Sequence, residues 1–174
     1  MAVTLESDRL MFRDWSDTDL PAFHRICSDP RVMEFVGDGQ PWSLKTTEEF
    51  ISRATSSLKE LGFCQRPLIH KADAVLVGYC GFLQSEEGPE IGWSLAPAFW
   101  GRGLATEAAS AALEHGFQKL GFQRVIATVQ SGNRASIRVI EKLGMQQESS
   151  FQRNGRELLV YSTGKGRDRE LETV

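Results

Sequence analysis

Apolar positions alternate near the start of the chain and then change to helical spacing. Leu10 and Phe12 on one face, with Met11 on the other, predict an opening strand within residues 4–15. Ser16 and Asp17 precede Leu20, Phe23 and Cys27, the pattern of a short helix that Asp29-Pro30 ends. Pro21 is tolerated because it falls in the first turn. Thr46 and Glu49 read as a capping box, and Phe50, Ala54, Leu58 and Leu61 continue a helical stripe to Gly62. Two β-rich runs between Cys64 and Leu83, separated by Lys71-Ala72-Asp73, predict a hairpin. After the turn at Glu86-Glu87-Gly88-Pro89, a strand runs from Glu90 to Leu95 and Pro97 closes it.

The longest helical stripe starts near Gly103, with Ala105, Ala108, Ala109, Ala112, Leu113, Gly116, Phe117 and Leu120 on one side and Gly121 as cap. A strand over 124–129 and a helix from Asn133 to Leu143 follow, the latter ended by Gly144. The segments 146–153 and 156–161 flank Asn154-Gly155, a two-residue hairpin turn. The element order β, α, α, β, β, β, α, β, α, β, β implies a mixed α/β sheet in one domain over residues 1–163. A charged tail, expected to be disordered, occupies 164–174.

Composition narrows the function classes. The chain has 174 residues, 41% hydrophobic and 25% charged, enough apolar content for a packed core. Its net charge of −3 argues against nucleic-acid binding driven by bulk charge. Cys27, Cys64 and Cys80 form no CxxC pair and the three histidines are scattered, so neither a zinc site nor a disulfide framework is expected. With no apolar leader or membrane-length apolar run, a cytoplasmic protein without membrane contact is expected.

The informative block is Glu90 to Ala108, a strand that delivers a glycine-bearing loop to a helix N-terminus. The first turn of a helix carries unpaired N–H groups and about half a positive charge, so the amides of Gly101, Arg102, Gly103, Leu104, Ala105 and Thr106 can hold a diphosphate. Gly101 and Gly103 permit close approach and Arg102 adds a cation. A Walker loop requires Gly-Lys-Ser/Thr, and a dinucleotide fingerprint requires a third glycine where this chain has Thr106; neither fits. A tight structural turn is the competing reading.

Trp100-Gly-Arg-Gly-Leu-Ala-Thr-Glu-Ala108 resembles the pyrophosphate loop of the GNAT superfamily of acyl-CoA N-acyltransferases. Trp100 stands where Gln or Arg is usual, as in the branch that acetylates ribosomal-protein N-termini. Asn133, Ser136, Val139, Glu141, Lys142 and Gly144 resemble that branch's second motif, with Met145 in place of Phe. Glu6-Ser-Asp-Arg9-Leu-Met-Phe-Arg13 and Asp29-Pro30-Arg-Val-Met33 are further echoes. The resemblance implies a mixed, mostly antiparallel sheet splayed between its fourth and fifth strands, with helices on both faces and acetyl-CoA in the gap. It further implies that the main chain of Trp93, Ser94 and Leu95 pairs with the pantetheine arm, with the Leu95 N–H as an oxyanion donor, and that residues 101–106 take the diphosphate. No metal is implied.

Asn133 is the natural N-cap of its helix, and by the resemblance Asn133 and Ser136 also approach the pantetheine or thioester end. Ser136 is then a candidate donor to the departing thiolate, against a serine bonded to its own helix backbone. The tyrosine that many relatives use as general acid is replaced by Ile140, and an acidic residue of some relatives by Thr128. Glu90 remains the base candidate, since alternation sets it on one face with Gly92 and Ser94; a solvated glutamate at a strand start is the alternative. An α-amine with a pKa of about 7.7 to 8.0 is partly neutral at pH 7, whereas a lysine at about 10.4 is almost wholly charged. Direct acetyl transfer from acetyl-CoA to a primary amine is therefore expected, on a protein N-terminus or a small molecule, with a homodimer open. Glu34, Asp38 and Glu48 suggest an acceptor side suited to a cation. A non-catalytic acyl-CoA-binding module is the alternative from another class.

Overall fold

The computed structural model describes residues 3–165. The assigned tail lies outside them from residue 166 onward. The predicted opening strand is two strands, β1 (Val3–Glu6) and β2 (Leu10–Arg13), pairing antiparallel. The cause is the Ser7-Asp8-Arg9 turn, where the Ser7 N–H donates to the Leu10 carbonyl and its hydroxyl accepts from the Leu10 N–H.

Helix α1 (Leu20–Cys27) follows a 3₁₀ turn at Asp17–Asp19, and α2 (Pro30–Met33) is a single turn capped by the Asp29 carboxylate with Pro30 in its first position. Helix α3 (Leu44–Leu61) begins one turn earlier than the expected capping box. Ser43, not Thr46, is the N-cap, its hydroxyl accepting from the Thr46 N–H at 3.1 Å. The predicted hairpin is β3 (Gln65–His70) and β4 (Val75–Ser85), followed by β5 (Gly88–Leu95). Helix α4 (Leu104–Gln118), β6 (Arg124–Gln130), α5 (Arg134–Lys142), β7 (Gln146–Arg153) and β8 (Arg156–Gly164) complete the chain.

The eight strands form one sheet in the order β1-β2-β3-β4-β5-β6-β8-β7. Every neighbouring pair is antiparallel except β5 and β6, which run parallel and meet in one register pair, Glu90 opposite Ile126. The expected splay therefore falls between the fourth and fifth predicted strands, which are β5 and β6 once the opening strand is counted as two.

One face of the sheet packs on α4 and α5 through Leu68, Val77, Ile91, Leu95, Val125, Ala127, Leu104, Ala108, Ala109, Ala112 and Ile140. The alanines let α4 lie close to the sheet. On the other face, Phe23, Ile26, Cys27, Val32, Met33, Phe50 and Tyr79 form a second cluster with α1, α2 and α3, flanked by Trp15 and Trp42. A β-bulge in β4 brings Gly78 under β5, where an added Cβ would stand 1.9 Å from the Ser94 carbonyl oxygen. Among the described residues no helix is long and apolar enough to cross a membrane, and no group of three His, Cys, Asp or Glu is placed to hold a metal ion.

Candidate active site

The splay opens because β5 turns its main chain two ways. The Ala96 N–H donates to the Val77 carbonyl at 2.8 Å, and Leu95 stands opposite Gly78 and Ser94 opposite Tyr79. Antiparallel alternation then directs the main-chain groups of Gly92 and Ser94 at β4 and those of Trp93 and Leu95 at the gap. Of the three residues expected to pair with the pantetheine arm, Trp93 and Leu95 thus border the gap, and Ser94 is committed to β4. The Leu95 carbonyl accepts from the Trp100 indole N–H at 2.7 Å, which pins the loop to the end of the strand and leaves the Leu95 N–H toward the gap.

The loop itself carries Gly101 at φ 70° and Gly103 at φ 76°, both in the left-handed region. An added Cβ at Gly101 would meet nothing within 4 Å, and at Gly103 only the tip of Arg9 at 3.7 Å. The space over these amides is open, and the N–H groups of Leu104, Ala105 and Thr106 in the first turn of α4 face no earlier turn of helix. This cradle fits a diphosphate, and the strand edge beside it fits an amide-bearing arm. Leu104 is fully buried and fixes the start of α4 in the core. The Arg102 guanidinium lies over the Phe99 ring at 5.2 Å, with a nitrogen 3.5 Å from His70 Nε2, so its charge rests on the loop's own scaffold.

Sequence reasoning noted the Glu6–Arg13 echo without assigning it a task. In the fold it braces the loop. Arg9 donates from Nε to Glu107 at 2.6 Å and from Nη1 to the Arg102 carbonyl at 2.9 Å, while its N–H and the Ser7 hydroxyl also donate to Glu107. Burial pushes the Glu107 carboxyl up, but the Ser7 and Arg9 hydrogen bonds and the Arg9 charge outweigh it and hold it below its ordinary range. A carboxyl depressed in the folded state stabilises the fold above its unfolded pKa of about 4.3, and that stabilisation fades as pH falls. Glu107→Gln is accordingly expected to lower the melting temperature at pH 7 and to match the wild type more closely as pH drops below about 4, which a pH series of thermal melts checks.

A cleft of about 460 Å³ runs through the splay. It is lined by Glu90, Gly92, Trp93, Thr128, Asn133, Ser136 and Ile140, so it unites Glu90 from β5 with the Asn133–Ser136 pair from α5. Asn133 is the N-cap of α5, its Oδ1 accepting from the Ser136 N–H at 3.1 Å. The Ser136 hydroxyl makes no hydrogen bond to a described residue, unlike Thr47 and Thr55, which bond back to their own helix. It is free for a ligand. Burial raises the Glu90 carboxyl above its ordinary range, against hydrogen bonds from the Thr128 hydroxyl and N–H and the nearby charge of Arg153. Thr128, where some relatives carry the acid, here supports an acid on the adjacent strand.

The acids expected on an acceptor side are not brought together. Glu34 and Glu48 are exposed and outside the cleft, and only Asp38 of the three acids lines it. Sequence reasoning missed the residues that build this wall. Arg156 donates to the carbonyls of Glu34 and Asp38 and to Gln130, and Gln130 donates to the carbonyls of Phe35 and Gly37, clamping residues 34–38 over the cleft. Tyr79 and Gln65 also line it. No local signal in the sequence joins these segments, which lie far apart in the chain.

The profile of the acetyltransferase (GNAT) domain family matches residues 9–146. The uncharacterized N-acetyltransferase YnaD of Bacillus subtilis (strain 168) is 31% identical over 151 residues, 86% of each chain. The crystal structure of an acetyltransferase of the GNAT family from Bacillus anthracis superposes with a TM-score of 0.79 at 31% identity, over 92% of this chain and 97% of that one. RimL, a ribosomal L7/L12 α-N-protein acetyltransferase solved with coenzyme A, shares the fold, with a TM-score of 0.79 over 94% of this chain and 98% of its own at 16% identity.

Proposed function

The chain belongs to the GNAT family of acetyltransferases, and from that premise we propose that it transfers the acetyl group of acetyl-CoA directly to the α-amine of its acceptor within the splay. The observation that carries the reading is the meeting, in one cleft, of a carboxylate with a raised pKa, an unbonded serine hydroxyl and a strand edge whose N–H faces the gap. Acetyl-CoA supplies an activated thioester whose carbonyl accepts an amine and whose sulfur leaves as a thiolate.

The residues of the chain do the rest. Glu90, whose carboxyl burial raises against the hydrogen bonds of Thr128, takes the proton of the ammonium through water or directly, which frees the nitrogen lone pair. The Leu95 N–H stabilises the oxyanion that develops on the carbonyl. The Ser136 hydroxyl donates to the departing sulfur. Residues 101–106 receive the diphosphate, and Asn133 fixes the turn that places Ser136. The thiols take no part: burial pushes Cys27 to about 12 and Cys64 to about 11, and raises Cys80 as well. An acyl-enzyme on cysteine would need a thiolate these positions do not supply.

Coenzyme A release measured over a panel of amines tests the reading, and absence of release with every amine would return the chain to acyl-CoA binding alone. Ser136→Ala is expected to lower kcat by roughly ten- to a hundredfold with acetyl-CoA affinity nearly unchanged, since its bond strengthens as the thiolate forms. Loss of affinity instead would make Ser136 a cofactor anchor.

A further inference from the structure

We propose that the acceptor carries a carboxylate beside its reacting amine and that Arg153 binds that carboxylate. The inference rests on the transferase reading and names its substrate class. Arg153 ends β7 and lines the same cleft as Glu90. Its guanidinium lies over the Phe151 ring at 5.1 Å and makes no hydrogen bond or salt bridge to a described residue.

The other charges in the cleft are accounted for. Arg156 is spent on the carbonyls of Glu34 and Asp38 and on the Gln130 amide. The Asp38 carboxylate accepts from the Gln40 N–H at 3.0 Å. Burial raises the Glu90 carboxyl, against the hydrogen bonds of Thr128 and the charge of Arg153. Among the described residues the Arg153 guanidinium has no hydrogen-bonding partner, only the Phe151 ring and the charge of Glu90 near it, so its five donors and planar fork remain open to a carboxylate. A purely cationic amine would enter against that charge, whereas an amine with an adjacent carboxylate satisfies both ends: ammonium toward Glu90, carboxylate toward Arg153. The charge of Arg153 is felt at Glu90, so the two anchors stand within electrostatic reach of each other, as a short zwitterion requires.

Two sources present this chemistry, a free α-amino acid and a peptide N-terminus with an acidic side chain next to the amine. The test measures coenzyme A release by the full-length enzyme with paired substrates: amino acids against their amides, and tripeptides with aspartate against asparagine at the second position. The readout is the ratio of kcat/KM within each pair, compared between wild type and Arg153→Ala, so that differences in amine pKa cancel. The ratio is expected to fall at least tenfold in Arg153→Ala, to recover in part in Arg153→Lys and to invert in Arg153→Glu, with KM for acetyl-CoA unchanged. Arg153 is exposed on its hairpin, so these variants keep the fold, which thermal melts verify. The pair that responds identifies the source. Equal loss on both members of every pair, or a ratio unchanged by the substitution, overturns the proposal while leaving the transferase reading intact. Silence of the wild type with all amines overturns both.

Discussion

Glu90→Gln is expected to lower kcat/KM about a hundredfold near pH 6.5, within the range a positioned general base supplies. Glutamine keeps the size of the side chain and can still accept from Thr128, so the cleft retains its shape and only the proton acceptor is lost. The deficit depends on pH in a defined direction. At low pH the acceptor is an ammonium and must lose a proton before it can attack, in the proposed mechanism to Glu90; above the amine's own pKa it arrives neutral. The rates of wild type and variant should therefore converge as pH rises past that pKa. Burial adds a second feature to the wild-type profile: because it raises the Glu90 carboxyl, the acidic limb of kcat/KM should lie above the ordinary range of a glutamate, and that limb should vanish in the variant. A pH–rate profile of both proteins measures this. A uniform loss at all pH values would make Glu90 a structural residue and leave the amine's ionisation as the source of nucleophile.

The second large effect is on binding. At an acetyl-CoA concentration of about 100 times its Kd, a ligand that binds only the folded state adds about 2.7 kcal/mol. For a chain of this size that corresponds to a rise of roughly 5 to 10 °C in Tm. Gly103→Val should abolish most of this rise and increase the KM for acetyl-CoA by about a hundredfold or more. Gly103 has φ 76°, a conformation costly for a β-branched residue, and its side chain would project into the open space over the loop amides. Gly62→Ala separates strain from blockage. Gly62 also sits in the left-handed region, at φ 81° with nothing within 4 Å of an added Cβ, but it caps α3 away from the loop. It should lower the melting temperature of the apo protein and leave the ligand-induced rise intact. A full rise retained in Gly103→Val would mean that the loop is only a tight turn.

Legibility in the sequence followed the range of the interactions. The α4 stripe, the Asn133 cap and the Asn154-Gly155 turn were readable because each rests on neighbours within a few residues; Asn154 and Gly155 indeed have φ 51° and 72°, as a two-residue hairpin turn demands. The break between β1 and β2 was not, because one strand or two depends on whether Leu5 finds Phe12 across a turn. Ser43 and Thr46 are both good caps, and the choice between them is made by where the chain enters α3. The strand edge, loop and helix cap that border the gap were legible from contiguous residues 93–106 and 133–136. The opposite wall of the cleft was hidden, since Arg156 reaches Glu34 and Asp38, and Gln130 reaches Phe35, across most of the chain. Which of Trp93, Ser94 and Leu95 faces the gap required the register against β4, which no single strand's sequence contains.

The single bridge between Glu90 and Ile126 also has a consequence for how the molecule holds together. Five strands form one ladder and β6, β8 and β7 form another, and the seam between them has almost no hydrogen bonds of its own. Cooperativity across that seam falls to α4, α5 and the Arg156 clamp, so the C-terminal ladder is the natural unit of sub-global opening. A ligand seated in the wedge, as the proposed function places acetyl-CoA, would touch both ladders at once and restore the continuity that the missing rungs deny.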